Sequence, residues 1–316
     1  MIVALAGGVG GARLAVGLAA VLPPEELTII VNTGDDFEHL GLSISPDLDT
    51  VLYTLAGLNN PVLGWGRVDE TWSFMETLHQ LGGETWFKLG DRDLALHVMR
   101  SAALRRGLRL SEIMRTLAQQ LGVRHAIVPM SDDPVRTIVL TDEGELAFQD
   151  YFVRRRCEPA VTGFRYDGAH TARVPPTLRE MFDRGTVDAV IVCPSNPYAS
   201  IAPLLAVSEI REWLARRRFP VIAVSPIVGG DAVKGPAAKM MRELGLTPSA
   251  QSIARYYGEH VDAWVIDQQD AAQAPSITAL NKRVTISDTI MTDRAKSIAL
   301  AGTTVRFARE CMKALL

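Results

Sequence analysis

The chain has 316 residues, 47% of them hydrophobic and 22% charged, with a formal net charge of −3. That is enough for one large α/β domain or a core with a smaller subdomain. The slightly negative balance argues against bulk nucleic-acid binding, and no apolar run is long enough to span a membrane. Cys157, Cys193 and Cys311 are far apart and without metal-ligand or redox spacing, which reads as reduced thiols in a cytoplasmic protein.

The opening residues 1–6 form a short apolar run with no basic segment before it, expected as a first buried strand rather than a signal peptide. A helix is predicted over 12–22 and a second buried strand over 27–31, a βαβ opening. Residues 49–121 read as mainly helical, with helices over 49–58, 70–81, 92–106 and 112–121, and with Asp91 and Ser111 placed as N-caps. A strand follows at 125–129, then a hairpin with arms 135–140 and 145–153. Strands at 187–193, 221–225 and 261–266 then alternate with helices at 208–217, 234–244 and 252–258, before a closing helix over 293–314. The fold class expected is α/β: a Rossmann-like three-layer αβα core with a mainly parallel sheet and a smaller helical and β-hairpin subdomain. The core takes in about 1–60, 120–135 and 185–316, the added helices about 61–120 and the hairpin region about 135–185.

The residues just after each strand carry the functional signal. The runs end in turn in GGVGG, NTGDD, PMSDD, CPSNP, SPIVGG and DQQD. Open α/β sheets bind ligands beyond the carboxyl ends of their strands. Glycine lets backbone approach a phosphate, a helix N-terminus supplies N–H donors, and Asp can hold magnesium. Singly, each loop could be only a tight turn; six on one edge point to a phosphorylated ligand, of nucleotide type, with a metal ion. The first loop contains Gly8-x-Gly10, but Arg13 stands where a dinucleotide fingerprint has its third glycine. The second strand ends at Asn32 rather than an acidic residue, and no lysine follows the glycines, so neither an NAD motif nor a P-loop is complete.

Asp35, Asp36, Asp47 and Asp49 form the densest acidic group. Helix capping accounts for one of them; four close carboxylates ask for a shared cation or proton. Asp49 is the expected first magnesium ligand, assisted by Asp36 or Asp47. Asp91 and Asp93 read equally as caps with a local ion pair and as a functional loop, Arg154, Arg155 and Arg156 as a solvated run that could hold an acidic group, and Trp65, Trp72 and Trp86 as core, with room for one of them to face a flat ligand. The six histidines are scattered without ligand spacing.

In order along the chain, GGVGGAR, VNTGDD, SPDLDTVLYTLAG, LGDRD, PMSDDPV, FQDYFV, CPSNPYASI, SPIVGGDAVKGPAAK and TIMTD together resemble the 2-phospho-L-lactate transferase family of coenzyme F-420 biosynthesis. The likeness runs from Met1 to about Thr292, and departs from some relatives in the glycine loop, where they carry Thr and Pro. It implies a magnesium-dependent homodimeric transferase. The donor would join a phosphorylated three-carbon acid to GMP, the acceptor would be the deazaflavin Fo through its ribityl hydroxyl, and GMP would leave. On that reading Gly8, Gly10 and Gly11 cradle phosphates, and Asn32, Ser195, Asn196 and Ser225 orient substrates, with Arg13 and Gly229 in the same binding set. Asp49 and Asp36 are then the catalytic carboxylates, and Asp49, Asp47 and Asp36 the metal ligands. No residue chooses among phospholactate, phosphoenolpyruvate and 3-phosphoglycerate. Two other classes share part of the pattern: a nucleotide-sugar-binding regulator with a similar opening, and an NAD-dependent oxidoreductase.

Overall fold

The computed structural model describes residues 1–62 and 64–315. Seven parallel strands make the central sheet: β1 (Ile2–Ala6), β2 (Leu27–Val31), β3 (Ala126–Pro129), then β7 (Ala189–Val192), β8 (Val221–Val224), β9 (Ala263–Asp267) and β10 (Arg283–Ser287). Three further strands, β4 (Arg136–Thr141), β5 (Gly144–Ala147) and β6 (Val161–Asp167), form a separate antiparallel sheet in the order β5-β4-β6.

The order across the central sheet is β10-β9-β8-β7-β1-β2-β3. The chain starts in the middle at β1, builds outward to β3, and returns to the other side of β1 with β7. The two halves therefore diverge between β1 and β7, and a crevice opens at their carboxyl ends. Successive side chains face opposite sides of a strand, and this sheet buries both. Val3, Leu5, Ile30, Val190, Val192 and Trp264 enter one core, and Ile2, Ala4, Ile29, Val31, Ile191 and Val265 the other. Helices cover each face, which gives the three layers.

On the second face lie α1 (Gly8–Val21), α2 (Pro46–Leu55) and, at the end of the chain, α6 (Arg294–Lys313). The helices α3 (Ser73–Gln80), α4 (Asp91–Arg105) and α5 (Leu110–Gln120) fill the excursion between β2 and β3. A small apolar cluster of Ile44, Met75 and Leu89, with Phe37, Trp72 and Phe87 against it, ties α3 to the turn after β2.

Several expectations need correction. Asp91 does not cap its own helix: Gly90 holds that position, and the Asp91 carboxylate accepts the Ser73 and Phe74 N–H groups at 3.1 and 3.0 Å, capping α3 instead. Ser111 lies inside α5 and bonds Asp132 through its N–H and hydroxyl. The second hairpin arm stops at Ala147 and gives way to a wide helical turn, Asp150–Arg154. The strand β10 has no apolar run because it is an edge, with Arg283 and Ile286 exposed. Among the described residues no helix is long and apolar enough to cross a membrane.

The seat of α1 on α6 is tight. A Cβ on Gly17 would fall 2.2 Å from the Ser297 carbonyl oxygen, whereas one on Gly302 would meet nothing within 4 Å. Gly17→Ala should therefore cost about 1–3 kcal/mol of unfolding free energy by overpacking, while Gly302→Ala should be neutral or stabilising by about 0.4–1 kcal/mol; urea titration of the two variants measures the contrast.

Candidate active site

The carboxyl ends of β1, β2, β7 and β8 meet in one cleft of about 680 Å³. Its floor is the turn from β1 into α1. Gly7 donates its N–H to the Ser195 hydroxyl at 3.1 Å, and that hydroxyl donates to the Gly7 carbonyl at 2.8 Å. The turn can lie this close because Gly7, Gly10 and Gly11 have no side chains. A Cβ on Gly7 would sit 2.4 Å from an Asp47 oxygen, one on Gly10 2.3 Å from the Pro194 carbonyl, and one on Gly11 2.6 Å from the Ser195 hydroxyl. Gly8 further requires a left-handed φ of 61°. Gly7 has no side chain to cap α1 and the Asp47 carboxylate takes the Gly8 N–H, while Val9 and Gly10, next in that first turn, line the cleft wall. That is an anion-binding arrangement.

The carboxylates sort into two layers. Asp35 and Asp47 line the cleft. Asn32, fully buried beneath them, joins the two: its amide donates to Asp35 at 3.2 Å and to Asp47 at 3.0 Å. Asp47 also accepts the Gly8 N–H at 2.6 Å, and the Gln149 amide donates to Asp35 at 3.2 Å. Asp36 and Asp49 lie behind. Ser45 donates its hydroxyl to one Asp36 oxygen at 2.7 Å, and the other oxygen is buried without a partner among the described residues. Both Asp49 oxygens are taken by Arg100.

Burial pushes the Asp36 carboxyl up to about 8, partly offset by the Ser45 hydroxyl. Burial raises Asp47 to about 6 against the hydrogen bonds of Asn32, Gly8 and Ser200. Asp35 is held well above the usual carboxylate range by burial and then by the charges of Asp47 and Asp36. Two desolvated carboxylates joined by one amide, with Asp47 raising the proton affinity of Asp35, suit a cation at this place. Among the described residues no group of three or more His, Cys, Asp and Glu could hold a metal alone, so Asp36, Asp47 and Asp49 do not form a protein cage. Magnesium needs only one or two carboxylates when substrate phosphates complete its shell, and Asp47 with Asp35 meets that need.

The other expected residues divide similarly. Arg13, Ser195, Asn196 and Ser225 line the cleft. Arg13 is tied to the Met291 carbonyl at 2.7 Å. The Asn196 carbonyl oxygen accepts the Tyr198 and Ala199 N–H groups, capping the next turn. The Ser225 hydroxyl closes its own turn on Ile227. Asn32, Gly11 and Gly229 lie off the cleft wall; Gly229 donates its N–H to Asp270 at 3.1 Å. The PMSDD and DQQD loops are built into the fold rather than the cleft: Asp133 accepts the Arg173 N–H, and Asp267 accepts those of Gln269 and Thr289.

Part of the lining is aromatic, as the sequence allowed for one of the tryptophans. Trp65, Trp86, Phe87, Phe148 and Phe152 present aromatic surface to the cleft. Trp65 is 43% exposed, so it and Trp86 are not core as expected, whereas Trp72 packs in the small apolar cluster. Phe148 and Phe152 stack at 5.5 Å, an i, i+4 pair in FQDYF. Exposed Lys88, Arg156 and Lys234 add positive charge around the rim. Of the arginine run, Arg155 pairs with Glu143, Arg154 lies over Trp86, and only Arg156 lines the cleft.

Two expected outcomes follow from the carboxylate layers. Asp49→Ala leaves the Arg100 guanidinium buried and unpaired, which should cost about 3–5 kcal/mol in urea unfolding. For the pH dependence, the folded chain binds more protons than the unfolded chain between the ordinary 3.8 and the raised values of about 6 for Asp47 and about 8 for Asp36. Stability without divalent cation should thus fall as pH rises through that window. Asp36→Asn should flatten the slope, and added magnesium should recover stability at the alkaline end; melting temperatures across the range check both.

The family model described as 2-phospho-L-lactate transferase CofD matches residues 2–306. A 2-phospho-L-lactate transferase of Methanosarcina acetivorans is 42% identical over 297 residues, covering 94% of this chain and 95% of its own. A phosphoenolpyruvate transferase of Streptomyces griseus subsp. griseus is 41% identical over 317 residues, covering 98% of each. A crystal structure of a UPF0052 family protein from Bacillus halodurans superimposes with a TM-score of 0.64 at 14% identity, covering 96% of this chain and 98% of its own, a likeness of fold alone. The chain is a transferase belonging to the 2-phospho-L-lactate transferase family.

Proposed function

We propose that the chain transfers a phosphorylated three-carbon acid from a guanosine diphosphate-linked donor to the ribityl hydroxyl of the deazaflavin Fo, releasing GMP. The observation that carries this reading is the two-part lining of a single cleft. Open amides with two carboxylates make one part of the lining, and five aromatic side chains the other. The first suits a diphosphate and the second a flat, fused-ring acceptor. Relatives named for 2-phospho-L-lactate and for phosphoenolpyruvate are similarly identical to this chain, and both acids, with 3-phosphoglycerate, remain in the donor class.

Displacement at phosphorus asks chiefly for positioning and charge neutralisation. The hydroxyl oxygen bonds to the phosphorus bearing the acid, its proton passing to a cleft carboxylate, as that phosphorus parts from the oxygen of GMP. The first-turn amides at Val9 and Gly10 hold donor oxygens, and Lys88, Arg156 and Lys234 balance negative charge from the rim. A magnesium ion on Asp47 and Asp35 would supply further neutralisation of the leaving diphosphate oxygen. Asn32 keeps those two carboxylates directed into the cleft, and Asp36 acts from behind through Ser45. The homodimeric, cytoplasmic setting implied by the family resemblance goes with this reading.

Incubating the protein with Fo, magnesium, GTP, each candidate three-carbon phosphate and a guanylyltransferase that makes the donor should give a product heavier than Fo by the phospho-acid, together with GMP. Mass spectrometry reads both and identifies the acid. Asp47→Asn should lower kcat by about 100- to 1,000-fold with the fold intact. Absence of any Fo adduct with all three acids, or wild-type turnover by Asp47→Asn, would remove this assignment.

A further inference from the structure

Behind the cleft wall lies a set of charged side chains with no part in the transfer chemistry above. Arg100, on α4, is completely buried. Its Nη1 donates to Asp49 Oδ2 at 3.0 Å, and its Nη2 to Asp49 Oδ1. His97, one turn earlier, sets Nδ1 3.7 Å from Asp49 Oδ2 and Nε2 3.2 Å from Asp93 Oδ2. The Tyr53 hydroxyl donates to Asp93 Oδ1 at 2.6 Å. Enclosed ion pairs seldom stabilise a fold better than well-packed apolar side chains, so stability alone is a poor reason for this one.

Its place in the chain supplies a better reason. Asp49 and Asp47 share the first turn of α2. The same stretch of α4 also holds the strand that leads into that turn. Ser101 accepts the Ser43 N–H at 2.8 Å, and Arg105 donates to the Gly41 carbonyl. That strand, Leu42–Ile44, runs into Ser45, whose carbonyl accepts the Asp49 N–H at 3.0 Å. Asp47 thus sits between two points fixed from α4, and its carboxylate meets Gly8 and Asn32 at the cleft floor.

We propose that Arg100 is a positioning residue for the transfer site: by gripping Asp49 it sets the rotation of the first turn of α2 and so the direction in which Asp47 enters the cleft. This rests on Asp47 being the working carboxylate of the reaction proposed above. The excursion between β2 and β3 then braces the phosphate end of the cleft through one buried guanidinium.

The test uses Arg100→Met, Arg100→Lys and the double variant Asp49→Asn/Arg100→Met, in which no charge is left unpaired should the single variant fail to fold. Hydrogen exchange read by mass spectrometry on peptides spanning 42–55 should accelerate in the double variant by about tenfold or more, with the central strands still protected. Turnover should fall about tenfold or more in kcat at nearly unchanged KM for Fo, with Arg100→Lys recovering part of it. A merely structural pair would lower the melting temperature and leave kcat of the folded enzyme and exchange at 42–55 as in wild type, which would overturn the proposal. If wild-type protein forms no Fo adduct, the transferase reading fails separately, and local exchange alone decides whether Arg100 fixes the turn.

Discussion

The site depends on how closely the turn after β1 approaches its neighbours. At Gly7, Gly10 and Gly11 a single added carbon would collide with an Asp47 oxygen, the Pro194 carbonyl and the Ser195 hydroxyl. Close contact brings the start of α1, the loop after β7 and the start of α2 to one point. The glycines therefore serve two purposes: they leave amides bare, and they let two other loops converge on those amides.

Around that point the charges are arranged by depth. Asp35 and Asp47 face the cleft, while Asp36 and Asp49 stand behind them with Ser45 and Arg100. A buried carboxylate is tolerated when hydrogen bonds or an opposite charge answer it. Asp49 is answered within the protein by Arg100, Asp47 by three neutral donors, and Asp35 by two amides. Among the described residues, the cleft-facing pair thus has hydrogen bonds but no cation directly upon it. That leaves its charge to be balanced by what binds.

The aromatic part of the lining is added to the α/β core from outside its sheet. The β1–β7 switch point supplies the phosphate end, which any fold of this topology could offer. The aromatic wall comes from elsewhere: Trp65, Trp86 and Phe87 from the excursion between β2 and β3, Phe148 and Phe152 from the end of the hairpin. Fold likeness to a UPF0052 protein at 14% identity therefore says nothing of acceptor choice.

By itself, the sequence determined the sheet, its direction and the edge that carries chemistry, because buried parallel strands are short apolar runs and glycine, serine, asparagine and aspartate cluster after them. It also determined the family, through CPSNP, SPDLDTV and their order. It left β10 unread because an exposed edge strand, RVTIS, needs no apolar run. Among neighbouring aspartates, only the tertiary structure decided which face the cleft. Asp47 and Asp49 differ by two positions on a helix and so point about 200° apart, one toward Gly8 and the other toward an arginine 51 residues away. The same holds for Trp65 and Trp86: an aromatic residue in a core and one on a binding wall have the same chemistry, and only the packing of distant segments separates them.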